Sequence, residues 1–172
     1  WDAGAAIAGG RHVGVAPSTS SDALARYRMP KRRMEIKGVI HGITVYDDFA
    51  HHPTAIATTV AGLRKRVGAG RILAVLEPRS NTMKLGVMKA ALPDSLQTAD
   101  FVFGYGATEG SSALGWDLAE ALSPLGDKAQ AFSDLDALVQ AVKAQAQAGD
   151  HILVMSNGGF GGVHQKLLDA LK

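Results

Sequence analysis

Val45-Tyr46-Asp47-Asp48-Phe49-Ala50-His51-His52-Pro53-Thr54 is the stretch on which the reading of this chain turns. A β-branched and aromatic run gathers two acids and two histidines and then meets Pro53, which opens a helix readily but cannot sit inside a sheet. The segment therefore reads as a strand end turning into a helix, the place where α/β proteins put their chemistry.

Working outward, Ile56, Val60, Leu63 and Val67 keep one face of a helix predicted over 53–67, which Gly68 closes. Upstream, runs over 31–39 and 43–47 are β-rich and separated by His41-Gly42, a hairpin signal. Downstream the pattern becomes regular. Strands are expected over 71–76, 101–104, 129–132 and 151–155. Helices are expected over 83–96, 114–122, 135–148 (capped by Ser133 or Asp134) and 160–171. Strands alternating with helices of this length imply an α/β fold: a Rossmann-like, mostly parallel sheet with helices on both faces.

The beginning of the chain is different. Residues 3–14 read as a helix ended by Gly14 with Pro17 beyond, and Ser21-Asp22 can cap a second short helix through Arg26. Both have little apolar surface, so residues 1–28 are expected to be the tail of another domain, with the main domain over 29–172. The opening Trp1-Asp2-Ala3-Gly4 reads as if cut from a longer chain.

Composition limits the function. A chain of 172 residues is long enough to bury roughly 70% of its unfolded surface. With 47% hydrophobic and 20% charged residues it should fold rather than stay disordered. The net charge is only +2, and the basic groups Lys31-Arg32-Arg33 and Arg64-Lys65-Arg66 lack interleaved aromatics, which argues against nucleic acid as a partner. There is no cysteine, hence no disulfide framework or thiolate chemistry, which suits a cytoplasmic protein. No apolar run reaches the roughly 18 residues of a membrane span, and no membrane partner is expected.

Three strand-end loops carry polar residues and should converge: 47–52, 77–81 and 156–162. In the first, successive strand residues face opposite ways, so Asp47 and Asp48 cannot both serve one site unless the strand has ended. Asp48 can bind a ligand, or it can cap the helix at Pro53 with His51 and His52 packed on the first turn. The two histidines lack the spacing of a metal pair. In the second loop, Arg79 and free N–H groups make an anion seat, or Ser80 or Asn81 is a helix cap beside a surface arginine. In the third, the glycines of Ser156-Asn157-Gly158-Gly159-Phe160-Gly161-Gly162 admit a ligand close to the backbone, or make a tight turn for the last helix. No GxGxxG or P-loop pattern occurs, so the phosphates of any nucleotide would be held mainly elsewhere.

Arg32-Arg33-Met34-Glu35, Asp47 to Thr54, Glu77-Pro78-Arg79-Ser80-Asn81-Thr82-Met83-Lys84 and Ser156 to Gly162, in this order, resemble the C-terminal domain of the Mur ligase family. Within the family they resemble the branch that joins the murein tripeptide L-Ala-γ-D-Glu-meso-diaminopimelate to UDP-N-acetylmuramate in peptidoglycan recycling. The resemblance implies a three-domain bacterial enzyme, with an N-terminal domain for the UDP-sugar and a central ATPase domain missing here. ATP and Mg²⁺ would be bound mainly by that central domain. It implies that the muramyl carboxylate is activated as an acyl phosphate and attacked by an amine, that this domain closes over the nucleotide, and that this piece alone is inactive, with no catalytic residue of its own. Carried over by position, Arg33, Asp48 and His51 face ATP. His52, Arg79, Ser80, Asn81, Ser156, Asn157, Gly158 and Gly159 face the incoming peptide, with Arg79 on a carboxylate. Asp2 stands where members tend to carry an asparagine near the adenine. Two other readings remain: the branch that adds free L-alanine, whose strand-end motif also pairs Asp-Asp with His-His-Pro, and a non-catalytic nucleotide- or anion-binding α/β module.

Overall fold

The computed structural model describes residues 2–27, 30–110 and 113–172. The chain forms two compact units, Trp1–Lys31 and Arg32–Lys172. In the first, α1 (Asp2–His12) and α2 (Pro17–Ala25) have low amphipathicity, and α2 buries no residue. The second helix starts at Pro17 rather than after Ser21-Asp22. Proline at the first helical position costs no hydrogen bond, and that sets the start.

The second unit is a six-stranded sheet. Its strands are β1 (Glu35–Ile40), β2 (Ile43–Asp48), β3 (Ile72–Leu76), β4 (Phe101–Tyr105), β5 (Ala129–Phe132) and β6 (His151–Met155). They lie in the order β1-β2-β6-β3-β4-β5. Of these six, only β1 runs antiparallel, joined to β2 through His41 and Gly42, both at positive φ as a tight hairpin requires. The other neighbours pair in parallel.

Every residue of β3 is buried, which explains its unbroken apolar sequence. Its side chains divide by the two-residue period. Ile72, Ala74 and Leu76 pack with Ile56, Val60 and Leu63 of α3 (Pro53–Val67) and with Leu92 of α5 (Leu92–Ser95) and Leu118 and Leu122 of α6 (Leu118–Leu122). Leu73 and Val75 pack on the other face with Leu138 and Val142 of α7 (Leu135–Gln145) and Val163 and Leu167 of α8 (Val163–Ala170). The mostly parallel sheet with helices on both faces is thus as expected.

Several boundaries differ, each for a backbone reason. β1 begins at Glu35, because Arg32 (φ 60) and Met34 (φ 50) turn left-handed and cannot extend a strand. The helix expected over 83–96 is broken into α4 (Asn81–Lys84), a 3₁₀ turn over Lys89–Ala91 and α5, with Gly86 at φ 72 between them and Pro93 in the last. α6 starts only at Leu118, where Asp117 caps it. α8 starts at Val163, since Phe160, Gly161 and Gly162 all have positive φ. No helix among the described residues is long and apolar enough to cross a membrane.

Candidate functional site

β2, β6 and β3 are adjacent and parallel, so the loops that follow them leave the sheet side by side at its carboxyl rim. Backbone bonds tie them at once: Ser156 N donates to Asp48 O at 3.2 Å, and Glu77 N to Met155 O at 3.1 Å. Side chains complete the joint. The fully buried Ser156 donates its hydroxyl to Glu77 Oε2 at 2.6 Å and accepts from Gly158 N at 2.9 Å. Arg32 donates through Nη2 to the carbonyls of Ser156 and Gly158, at 2.6 and 2.9 Å. The three loops named in the sequence therefore meet at one place.

Between the β3 and β6 loops lies a cleft of about 570 Å³ lined by Arg79, Ser80, Asn81, Asn157, Gly158 and Gly159. All six are residues to which the sequence assigned the incoming peptide. Arg79 is folded over the bare α-carbon of Gly158, with its Cζ 2.9 Å and its Cδ 3.1 Å from where a Cβ would stand. Only glycine lets the guanidinium lie there, in the lining of the cleft. Ser80 has two positions at once, lining the cleft and accepting Met83 N as the cap of α4 at 3.3 Å. The arrangement offers a cation, hydroxyl and amide groups and exposed glycine backbone, a set suited to a carboxylate and a peptide link. His52 and Ser156 do not line this cleft.

The β2 end carries the other cluster. Asp48 is 3% exposed and its carboxylate is bonded inward. Oδ1 accepts from Ala50 N at 2.8 Å and Thr59 Oγ1 at 3.3 Å, and Oδ2 accepts from Met34 N at 2.9 Å. The cap of α3 belongs to His52, whose Nδ1 accepts Thr54 N at 3.4 Å, so Asp48 is not the helix cap. The reason is direction: Asp48 is held by the turn before β1 and by the side of α3, away from its first amides. His51 is half-buried, with Nδ1 2.9 Å from Phe49 O and its ring edge-on to Phe49. Arg33 is exposed, its guanidinium 5.9 Å from the Phe49 ring centre, and Arg32 approaches the same ring at 5.2 Å. The side chain of Asp2 lies outside the described residues.

Asp47 faces the opposite way from Asp48, as the strand period requires. Its Oδ2 lies 3.3 Å from Arg32 Nε and its Oδ1 3.2 Å from His164 Nε2. The imidazole is near enough for an ion pair but off the line of a hydrogen bond, so Nε2 is buried without a hydrogen-bond partner among the described residues. Burial holds the His164 pKa below its ordinary value. Asp47 opposes that shift, while Lys37 and Arg32 reinforce it.

The motifs contain Arg32, Asp47, Phe49 and Glu77, none of them among the candidate site residues of the sequence, and the pairing of Asp47 with His164 is not legible there. Arg32 and Glu77 carried a signal, standing inside the two motifs that were singled out. Asp47–His164 had none, since its partners are far apart in sequence. Among the described residues no group of three or more His, Asp or Glu is placed to hold a metal ion.

Residues 32–158 match the family described as Mur ligase, glutamate ligase domain. The chain is 53% identical, over 96% of its length, to the UDP-N-acetylmuramate–L-alanyl-γ-D-glutamyl-meso-2,6-diaminoheptandioate ligase of Escherichia coli (strain K12), covering 36% of that protein. It superposes on the crystal structure of a murein peptide ligase from Psychrobacter arcticus with a TM-score of 0.75 and 42% identity, over 96% of this chain and 35% of that one. To the UDP-N-acetylmuramate–L-alanine ligase of Streptomyces coelicolor it is 34% identical over 97% of its length, covering 37% of that protein. The chain thus spans about a third of the length of the relatives it matches.

Proposed function

We propose, from the premise that this chain belongs to the Mur ligase family, that it is the acceptor-binding and nucleotide-closing domain of an ATP-dependent, amide-forming ligase. That ligase joins L-alanyl-γ-D-glutamyl-meso-diaminopimelate to UDP-N-acetylmuramate in the cytoplasm during peptidoglycan recycling. The single observation that carries this reading is the Arg79–Gly158 cleft, whose lining coincides with the residues the motifs assigned to the acceptor. The higher identity to the tripeptide ligase than to the L-alanine ligase supports the choice of acceptor.

In the reaction, a muramyl carboxylate oxygen attacks the γ-phosphorus of ATP and ADP leaves. The acceptor amine then adds to the acyl carbon, and the tetrahedral intermediate expels phosphate as the nitrogen loses a proton. Mg²⁺, bound mainly by a central domain as the family resemblance implies, would supply charge neutralisation on the phosphates. This domain contributes position. Arg33, exposed beside Phe49, reaches the phosphates across the domain boundary as a permanent cation with a fork of donors. Asp48, though bonded inward, takes a ribose hydroxyl on the acceptor site that its internal bonds leave. A carboxylate has about four acceptor sites, and its bonds to Ala50, Thr59 and Met34 leave one for a hydroxyl. His51 flanks it. His52 and the Arg79 to Asn81 and Ser156 to Gly159 loops hold the peptide so that its amine faces the acyl phosphate, an orientation effect large enough to dominate the rate.

The deciding experiment is an acceptor assay on the full-length protein with ATP, Mg²⁺ and UDP-N-acetylmuramate. Tripeptide-dependent ADP release with little turnover of free L-alanine is expected. Ligation of L-alanine without the tripeptide would assign it to the other branch. If the gene immediately upstream encodes no GxxxxGK[ST] segment in frame, the chain is a binding module and not part of a ligase.

A further inference from the structure

Farther along the same rim the chain has a second cleft, about 450 Å³, lined by none of the candidate site residues above. It is framed by the loop after β4, the start of α6 and the end of β5, and its walls include Thr108, Trp116, Asp117, Phe132 and Ser133. The two clefts are linked through the backbone of Met83. Trp116 Nε1 donates to Met83 O at 2.6 Å, and the N–H of that same Met83 is capped by Ser80 in the first cleft.

Strand order sets their separation. The first cleft opens between the ends of β6 and β3 and the second between those of β4 and β5, two strand steps along the order β2-β6-β3-β4-β5. At about 4.8 Å per step that is about 10 Å. An extended chain of three residues spans about 10–11 Å, and a single amino acid spans a third of that. The direction also follows, because the nucleotide residues stand at the β2 end. An amine that must meet the acyl phosphate lies nearest β2, and the rest of the acceptor runs away from it toward β4 and β5.

We infer that the second cleft receives the distal residue of a peptide acceptor whose amine end occupies the first, and so selects a tripeptide over a single amino acid. This rests on the acceptor reading above. The chemistry of the cleft fits an aliphatic tether that ends, as meso-diaminopimelate does, in a carbon bearing an ammonium group beside a carboxylate, the first for Asp117 and the second for the hydroxyls of Thr108 and Ser133. Trp116 and Phe132 give apolar surface, Thr108 and Ser133 give hydroxyls, and among the described residues of the lining the one charged group is the Asp117 carboxylate. Asp117 Oδ1 caps α6 at Ala119 N and Glu120 N, and its second oxygen is engaged by no described residue.

The test uses the full-length enzyme with two acceptors, the tripeptide and its L-Ala-γ-D-Glu dipeptide. Thr108→Trp and Ser133→Trp, both at exposed positions, fill the cleft. Asp117→Asn keeps a good helix cap and removes the charge. The filling variants should raise the tripeptide KM at least tenfold relative to the dipeptide KM, and Asp117→Asn severalfold, with the KM for ATP serving as the control for fold. Equal changes for both acceptors, or none, overturn the inference. A wild-type enzyme that does not ligate the tripeptide overturns the functional reading instead, and this inference with it.

Discussion

Arg32 Nη2 lies 2.6 Å from the carbonyl oxygen of Ser156, joining the turn before the first sheet strand to the glycine-rich turn across 124 residues. The same nitrogen reaches Gly158 O, while Nε faces the buried Asp47. Arg32 itself sits at φ 60, a conformation that costs an ordinary residue about 1–2 kcal/mol, and the turn is held by Phe49 N donating to Arg32 O and by Glu35 Oε2 accepting Arg32 N. Two adjacent arginines thus divide: Arg32 turns inward onto the acceptor loop, and Arg33 stays exposed beside Phe49.

Removing Arg32 should therefore loosen the acceptor side before the nucleotide side. Arg32→Ala leaves two carbonyls and the Asp47 carboxylate without their donor, at a cost of about 1–3 kcal/mol in stability. The predicted kinetic result in the full-length enzyme is a raised KM for the peptide with the KM for ATP changed less. Arg32→Lys should recover part of the stability but not the acceptor KM, since an ammonium cannot fork to both carbonyls and Asp47. Equal effects on both substrates would deny Arg32 its specific hold on the loop.

Gly158→Ala is a cleaner probe of Arg79. Gly158 is not among the positive-φ glycines, so the backbone accepts alanine, yet the new methyl would occupy the space of the Arg79 guanidinium. A charge-assisted hydrogen bond from Arg79 to the acceptor is worth about 1.5–3 kcal/mol, so its removal should raise the acceptor KM roughly 10- to 100-fold. Thermal unfolding should move little. Crystals of the variant should show Arg79 displaced, and an acceptor KM that stays at the wild-type value would remove Arg79 from the site.

How much of this was legible depends on the range of the signal. Pro53 and the four-three-four spacing after it marked α3, and the apolar run of β3 marked the buried centre, because both are local patterns. The break at Gly86 was not legible. The sequence from Met83 to Leu96 has helical composition, and the packing of Trp116 against Gly86, 3.0 Å from a virtual Cβ, is a tertiary fact. The left-handed turns at Arg32 and Met34 hide for a similar reason: neither residue type prefers that conformation, and the bonds of Phe49 N to Arg32 O and of Met34 N to Asp48 hold it from the far side of the hairpin. Within the site, glycines and strand ends announced where the loops meet, while the pairings inside them join residues tens of positions apart and had to be seen.

The two perturbed histidines give a pH dependence of definite sign. His164 and His151 both lie below the usual imidazole pKa, first because burial disfavours the charged form; Asp47 and Asp150 respectively pull the other way. In the unfolded chain each returns to about 6.5. As the pH falls through that value the unfolded chain binds protons that the folded chain does not, so stability is fullest above it and declines below it, down to the folded pKa. His164→Gln should flatten the loss of stability between about pH 7.5 and 5.5, by at most about 1.4 kcal/mol per pH unit. Urea midpoints for both proteins across that range measure it, and parallel slopes would show that His164 is not the responsible group.

Asp48 and Arg33 can be separated by comparing stability with ATP use. Asp48 accepts three hydrogen bonds while nearly buried, so Asp48→Ala strands the N–H groups of Met34 and Ala50 and frees the turn that carries Arg33. Each stranded buried donor costs about 1–3 kcal/mol, and a lower melting temperature is expected together with weaker ATP use. Asp48→Asn is expected to lie between wild type and alanine, since its amide keeps one acceptor but turns donors toward a donor. Arg33 is exposed and, among the described residues, meets only the face of Phe49, so Arg33→Ala should leave stability within about 0.5 kcal/mol of wild type. Its KM for ATP should nevertheless rise at least as much as that of Asp48→Ala. An Arg33→Ala enzyme with wild-type ATP kinetics would mean that the effect of Asp48 on ATP is carried by the shape of the turn rather than by the arginine it presents.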